Sequence, residues 1–519
     1  MLKEEAVGIE VSKNGDNLRD KPTPLWKMKR HPNETGENDI VPQITWFPTI
    51  MPHTKKKTRL LLAATQLAIA TTIVGCSAPK ESMPPDVAMP DAYRGAATVA
   101  APSDSTIAQM PYQNFFADTA LTALIEQTLA HNADLQSALK NIELAEQTLD
   151  AAKVVWLPSL NLSAQTIRNE SSEHGVRRTP KEFTAAVSAS WEVDVWGKIK
   201  NRKQSVLANY LKSQEAVKAL KTRLVADVAS GYYNLLMLDE QLAVARKNLA
   251  LADKTLAMMQ LQYQAGQFTH LAIRQQEAAR QQLAATIPQI EQAVAVQENA
   301  LSVLSGSMPN AITRNPSLLQ VKPTNTFAVG IPAAMLHNRP DVQAAEFALK
   351  AATADMKESG AAFYPSFTIT AQKGVSALQS SDWFNVPSSL FSVVQGTMLQ
   401  PIFQRGQLEV TYKQSQVKRD QAALAFRQSV VKAVAEVSDA LVRIEKLQTQ
   451  EQLAEERVAT LQQAVRNADM LFRSGLATYV EVMSVQSNAH NAELTLADLR
   501  RQRLTATAEL YRALGGGWR

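Results

Sequence analysis

Between Phe183 and Val195 every second residue is apolar. Phe183, Ala185, Val187, Ala189, Trp191, Val193 and Val195 share one face, while Thr184, Ala186, Ser188, Ser190, Glu192 and Asp194 share the other. A period of two predicts a strand with one face turned away from water. Upstream, Leu160, Leu162 and Ala164 alternate with Ser159, Asn161, Ser163 and Gln165. Far downstream, Phe367, Ile369 and Ala371 alternate with Ser366, Thr368, Thr370 and Gln372, and a fourth stretch, residues 389–403, is more mixed. Long polar segments, such as Asn169–Lys181, join the strands. Apolar residues on one side and small polar ones on the other form the pattern of an outer-membrane barrel strand, although a half-buried soluble hairpin alternates in the same way.

The rest of the chain reads with a helical period. Leu235, Leu242, Leu249, Leu256 and Tyr263 recur every seven residues, with Leu238, Ala245, Ala252 and Met259 at the companion positions. That spacing predicts a seam between packed helices. A second run, Ile444, Glu451, Val458, Val465 and Phe472 beside Leu447, Ala454, Leu461 and Ala468, repeats it, and Glu451 alone breaks the apolar line. From Gly197 to Ala265 only Gly231 interrupts the helix formers, so one helix of about 100 Å is expected at 1.5 Å per residue. Pro288 is expected to bend or interrupt the helix that returns from it.

The chain is a tandem duplication. Pro158 and Pro365 are 207 residues apart, while Gly197 and Gly406, Gly266 and Gly475, and Gly306 and Gly515 are each 209 apart. Each copy runs helix, two strands, long helix, glycine turn, helix. Four strands cannot close a membrane barrel, and an open sheet edge in lipid leaves backbone groups unpaired. Two chains would supply eight strands and a filled interior, whereas three would supply twelve and leave room for a lumen. The small polar residues on the inner face favour the lumen.

Composition changes the picture mainly at the N-terminus. Cys76 is the one cysteine in 519 residues, so no internal disulfide exists. A positive cluster (Lys55, Lys56, Lys57, Arg59) precedes an apolar run from Leu60 to Val74, which has the length of a secretory signal rather than a membrane span. Ile73-Val74-Gly75-Cys76 resembles a bacterial lipobox, which implies that Cys76 becomes the acylated first residue. Residues 51–75 are then the signal peptide and residues 1–50 an extension that is unused or lost. Residues 76–111, rich in Pro, Ala, Ser and Asp, read as a lipidated extended tether. Residues 1–75 carry 11 Lys+Arg against 8 Asp+Glu, which leaves the remainder at +2 from a total of +5. A near-neutral chain of that length has no electrostatic footprint for nucleic acid. The seven histidines show no metal-ligand spacing, and the terminal Gly515-Gly516-Gly517 run follows no strand and so is no phosphate loop. No enzyme, metal site or cofactor is expected.

With these features in place, the chain resembles the outer-membrane efflux family of TolC-like channels, and within it the NodT lipoprotein branch. The resemblance rests on ELYRALGGGW from Glu509, QPIFQRGQL from Gln400 and HNRPDVQAAE from His337, and it covers roughly residues 111–518. It implies a mainly helical fold with membrane strands, in which residues 112–330 and 331–519 are two repeats. Three chains then form a twelve-stranded barrel in outer-membrane lipid, continued by a helical tunnel in the periplasm. The implied function is the exit channel of a tripartite efflux pump for drugs or other small toxic compounds. The implied partners are two further copies, a periplasmic adaptor and an inner-membrane transporter of the RND type. An exit duct for protein secretion or metal export, and a coiled-coil lipoprotein scaffold without a pore, are the alternatives. By the same resemblance Gly266, Gly475 and Leu476 mark tips that dock the adaptor, and Val480, Glu481 and Ser484 ring a closed aperture. An Asp often stands where Ser484 is, which implies a less acidic ring here.

Overall fold

The computed structural model describes residues 90–95 and 106–519, apart from 169–170, 174–175, 179–180, 316–317, 319–320 and 322–326. The extension, the signal peptide, Cys76 and most of the tether lie outside the described residues.

In the first repeat α1 (Thr119–His131) and α2 (Ala133–Val154) lead into β1 (Ser159–Arg168), the short pair β2 (Ser171–Glu173) and β3 (Val176–Arg178), and β4 (Lys181–Val193). Helix α3 (Lys198–Gln264) and helix α4 (His270–Leu304) follow. The second repeat has α5 (Pro340–Ala361), β5 (Ser366–Ala377), β6 (Leu390–Leu399), α6 (Gln407–Arg473) and α7 (Tyr479–Ala513). Helices α3 and α6 both have 67 residues, and α4 and α7 both have 35. At 1.5 Å per residue each long helix runs about 100 Å. No described helix is long and apolar enough to cross a membrane.

One antiparallel sheet has the order β1-β4-β5-β6, and β2 and β3 pair within the polar segment that joins β1 to β4. Ser159, Ser190, Thr370 and Gln395 stand in one row across the four strands, and Leu160, Ala189, Ala371 and Val394 in the next. The predicted two-sidedness therefore extends across the sheet, with Lys373 and Ser392 interrupting the apolar face opposite Val187. The register also staggers. Leu160 is level with Ala371, whereas its counterpart in the second repeat is Phe367, so the sheet climbs four residues per hairpin. Both outer strands, β1 and β6, have an edge that pairs with no other strand among the described residues.

The apolar core lies among the long helices, where the short ones strap them. Tyr232, Leu235 and Leu236 of α3 pack with Leu121 and Ile125 of α1. Val437, Leu441 and Ile444 of α6 pack with Val342 of α5 and Leu510 of α7. Tyr93 is buried in this second cluster, so at least this part of the segment expected as an extended tether lies on the helices. The family-like motifs close the same region. Arg339 is buried and donates to Asp341, Glu436 and the carbonyl of Ala513. The ring of Tyr511 stacks on Phe115 at 4.2 Å. A Cβ on Gly515 would lie 2.3 Å from the carbonyl oxygen of Asn338, so only glycine fits there.

Three expectations change. Helix α4 continues through Pro288 without interruption. That proline is exposed, and the helix tolerates the loss of one backbone bond, to the carbonyl of Ala284, on this outer face. The seam of α3 buries Leu235 and the predicted companion positions Leu238, Ala245, Ala252 and Met259 but turns off the leucine line beyond Leu235: Asn248 and Thr255 are buried instead, while Leu242, Leu249 and Leu256 are half-buried and Tyr263 is exposed. Glu451, the break in the second heptad, is buried after all. Arg503 Nη1 donates to its Oε2 at 2.7 Å and Arg500 Nε to its Oε1 at 3.2 Å.

Candidate functional site at the hairpin tips

Each long helix ends in a five-residue turn, residues 265–269 and residues 474–478. Both turns close as Schellman motifs. Gln267 N–H reaches the carbonyl of Gln262 at 3.0 Å and Gly266 N–H that of Tyr263 at 2.9 Å. Leu476 N–H likewise reaches Leu471 at 2.8 Å, and Gly475 N–H reaches Phe472 at 3.1 Å. Gly266 and Gly475 both have φ of +75°, and a Cβ on either would meet nothing within 4 Å. Left-handed backbone alone accounts for both glycines.

The two turns, predicted separately, form one tip. Phe268 of the first lies 5.8 Å from the ring of Phe472 and edge-on to Tyr479 of the second hairpin. Tyr479 donates its hydroxyl hydrogen to Gln275, and Met259, Ile273, Ala468 and Val482 complete a small apolar cluster. Leu476 stands outside it, 78% exposed.

Val480, Glu481 and Ser484 are all exposed at the start of α7. Glu481 has a local duty that the sequence reading missed, although its signal, Thr478-x-x-Glu481, was present. Its carboxylate accepts from Thr478 N–H at 2.7 Å and from the Thr478 hydroxyl at 2.9 Å, while Thr478 Oγ1 accepts from Glu481 N–H at 3.4 Å. The Thr478 backbone bond, then its hydroxyl, holds the Glu481 carboxyl below the usual glutamate range, so it is ionised near neutrality. A depressed pKa means that the cap's contribution is complete above the ordinary glutamate range and fades as pH falls through the lowered value. The first turn has Ala272 at the corresponding position, and Thr269 caps without a carboxylate.

Above the tip, α3 meets α7 along a seam of small residues tied by polar groups. Gln486 donates to Thr255 at 3.4 Å, the Asn248 amide donates to His490 Nδ1 at 3.1 Å, and Lys247 pairs with Glu493 at 2.8 Å. Ala245, Ala252, Ala489 and Ala492 are buried around these ties. Burial lowers the pKa of the His490 ring, so the neutral ring is present to accept from Asn248 at pH 7. Such a seam has little apolar area to lose when the helices part. No group of three His, Cys, Asp or Glu able to hold a metal occurs among the described residues.

The model of the outer membrane efflux protein family matches residues 124–307 and 331–516, one segment in each repeat. The chain belongs to the outer membrane efflux protein family. Family membership makes it a non-enzymatic outer-membrane channel component that extends into the periplasm. It is 28% identical to the cation efflux system protein CusC of Escherichia coli O6:H1, over 87% of this chain and 97% of that one. It is 29% identical to the probable outer membrane lipoprotein SilC of Salmonella typhimurium, over 87% and 98%. Outer membrane protein OprJ of Pseudomonas aeruginosa is 28% identical over 87% and 95%. A crystal structure of CusC superposes with a TM-score of 0.73 at 28% identity, covering 83% of this chain and 99% of that one. The open MtrE channel of Neisseria gonorrhoeae gives 0.76 at 23% identity, over 86% and 99%, which shows the shared fold. The fold is that of TolC-like trimeric channels.

Proposed function

We propose that three copies form the exit channel of a tripartite efflux pump, which passively conducts small toxic compounds received from an adaptor and an inner-membrane transporter. The observation that carries this reading is continuity. One chain combines a sheet with a polar face and two helices of about 100 Å, and these end in a tip whose outermost leucine is largely exposed to solvent. Metal export is the second reading, and the similarity to CusC, named as a cation efflux protein, favours it. In either reading the cargo is chosen largely by the transporter, so the transporter that works with this channel is what decides between them.

In this reading Gly266, Gly475 and Leu476 form the adaptor-docking tip, and Val480, Glu481 and Ser484 form the closed aperture. Three capped, ionised Glu481 carboxylates around a narrow mouth would attract cations. Single-channel recording in planar bilayers tests this. The protein is expected to conduct, Val480→Ala to raise resting conductance, and Glu481→Ala to lower cation selectivity. A silent bilayer would mean a scaffold, and two unchanged variants would place the constriction elsewhere.

Cys76 is proposed as the lipidated N-terminus of the mature chain, on the strength of its lipobox-like context and the similarity to a probable lipoprotein. Cys76→Ala is expected to abolish labelling by radioactive palmitate, and label that survives the change would refute the assignment.

A further inference from the structure

We propose that the membrane face of the sheet holds a phosphorylated, multiply acylated sugar lipid of the outer leaflet, of the lipid A class, through Lys181, Lys373 and Arg168. The pairing register sorts the residues of β1, β4, β5 and β6 onto two faces. On the apolar face only Arg168, Lys181 and Lys373 are charged, and all three are cations. On the polar face only Glu182 and Glu192 are charged, and both are acids. Charge sign is thus segregated between the two sides of a single sheet. The wall of a TolC-like channel turns its apolar side to lipid, so the cations face the membrane. The assignment rests on this channel fold and not on what the channel conducts.

The three cations also gather toward one end of that face. Trp156 and Trp191 mark the end next to the helices, where the Trp191 indole donates to the Trp156 carbonyl at 2.8 Å. Aromatic girdles of this kind sit at the membrane interface, and the opposite end therefore meets the outer leaflet. There Arg168 ends β1 and Lys181 begins β4, directly opposite each other. Opposed positions bring Cβ atoms within about 4.5–5.5 Å. Lys373 stands four residues before Ala377, the outer end of β5. On inclined strands four residues span only about 8 Å of depth, most of which a snorkelling lysine stem can cover. A lysine charge is costly at mid-depth and nearly free at the interface, which favours a rise of the ammonium to the headgroups.

Both lysines are exposed, and neither has a carboxylate partner among the described residues. Glu182, next to Lys181, turns to the polar side and accepts from the Ser376 hydroxyl at 3.0 Å. Asp382 is the one acid in residues 378–389, the loop that follows β5, and it accepts from the Ser381 hydroxyl at 3.4 Å. An aromatic ledge stands beside the cations. Trp383 of that loop lies 5.7 Å from Phe183 on the apolar face and 5.1 Å from Phe384. Phe384 is 69% exposed and Leu378 70%. Cations next to bare apolar surface complement a lipid with phosphates on its headgroup and acyl chains below it. Val187, opposite Lys373, is six residues from Lys181, about 20 Å along β4. A two-sugar headgroup with separated phosphates spans that arrangement better than a headgroup with a single phosphate.

Lipid binding to the delipidated full-length channel in mild detergent tests the assignment, read by mass spectrometry of the intact assembly. The probes are lipid A with two phosphates, the same lipid A with both phosphates removed, and phosphatidylglycerol. The phosphorylated form is expected to bind, and loss of its phosphates to weaken binding about thirtyfold. Lys181→Gln with Lys373→Gln is expected to weaken it to a similar extent, whereas Lys181→Arg with Lys373→Arg retains it. Lys140→Gln, on the exposed surface of α2, is the control and leaves binding unchanged. Equal binding of the dephosphorylated form would overturn the proposal without recourse to any variant. A glutamine double variant that binds like the parent would overturn it too. Phosphatidylglycerol that binds as tightly as phosphorylated lipid A would also overturn it, leaving a general anionic-lipid surface in its place.

Discussion

Leu476→Arg is expected to abolish efflux while the trimer assembles normally. The side chain stands at the outermost point of the second turn and is largely solvent-exposed, so its loss removes no packing from the tip cluster. The backbone bond from Leu476 N–H to Leu471 does not depend on the side chain. If this leucine is covered when the adaptor docks, an arginine there would bury an unpaired charge, a cost of several kcal/mol. About 4 kcal/mol corresponds to roughly a thousandfold in affinity. Drug or metal susceptibility of a strain relying on this channel, together with adaptor cross-linking, provides the measurement. Efflux at normal levels would remove Leu476 from the docking surface. Gln267, its counterpart in the first turn, is already polar, so Gln267→Arg is expected to have a much smaller effect.

Glu451→Leu is expected to lower the unfolding temperature of the helical tunnel, even though it restores an ideal heptad. Both the Glu451 and Arg503 side chains are more than nine-tenths buried, and Arg500 is only partly exposed. Removing one partner from a buried ion pair costs about 3–5 kcal/mol, because the remaining charge keeps its desolvation penalty. The exposed pair Lys140–Glu143 is the control, since such pairs contribute about 0–1 kcal/mol. Replacing both partners with Glu451→Leu and Arg503→Met is expected to recover much of the loss. Helical circular dichroism during heating in detergent reads all three variants, and strictly additive effects would mean that the two residues are not coupled.

Much of the architecture was legible because it rests on periods and offsets. The two-residue period of Phe183–Val195 and the spacing of the paired glycines carry direct physical meaning, and both reappear as register and as left-handed turns. What escaped were features set by partners distant in sequence. A glutamate in a heptad reads as an interruption until Arg500 and Arg503 are seen to approach from another helix. Leu242, Leu249 and Leu256 read as a seam, yet the chain buries Asn248 and Thr255 instead, because α7 presents His490 and Gln486 to them. Pro288 reads as a break, but an exposed helix face tolerates the lost bond. At the candidate site the glycine turns were readable from local sequence, whereas the joining of the two tips through Phe268 and Phe472 was not.

The stagger of four residues per hairpin has a mechanical consequence. Four residues climb about 13 Å while two strand spacings cover about 9.6 Å, which inclines the strands by roughly 54° to the barrel axis. The 13 residues of β4, about 43 Å of extended chain, then rise only about 25 Å, the height of the apolar band of such barrels. Length is thereby exchanged for circumference: deleting two residues from a strand would thin the wall by only about 4 Å, whereas a slip of the same size between strands would change the bore.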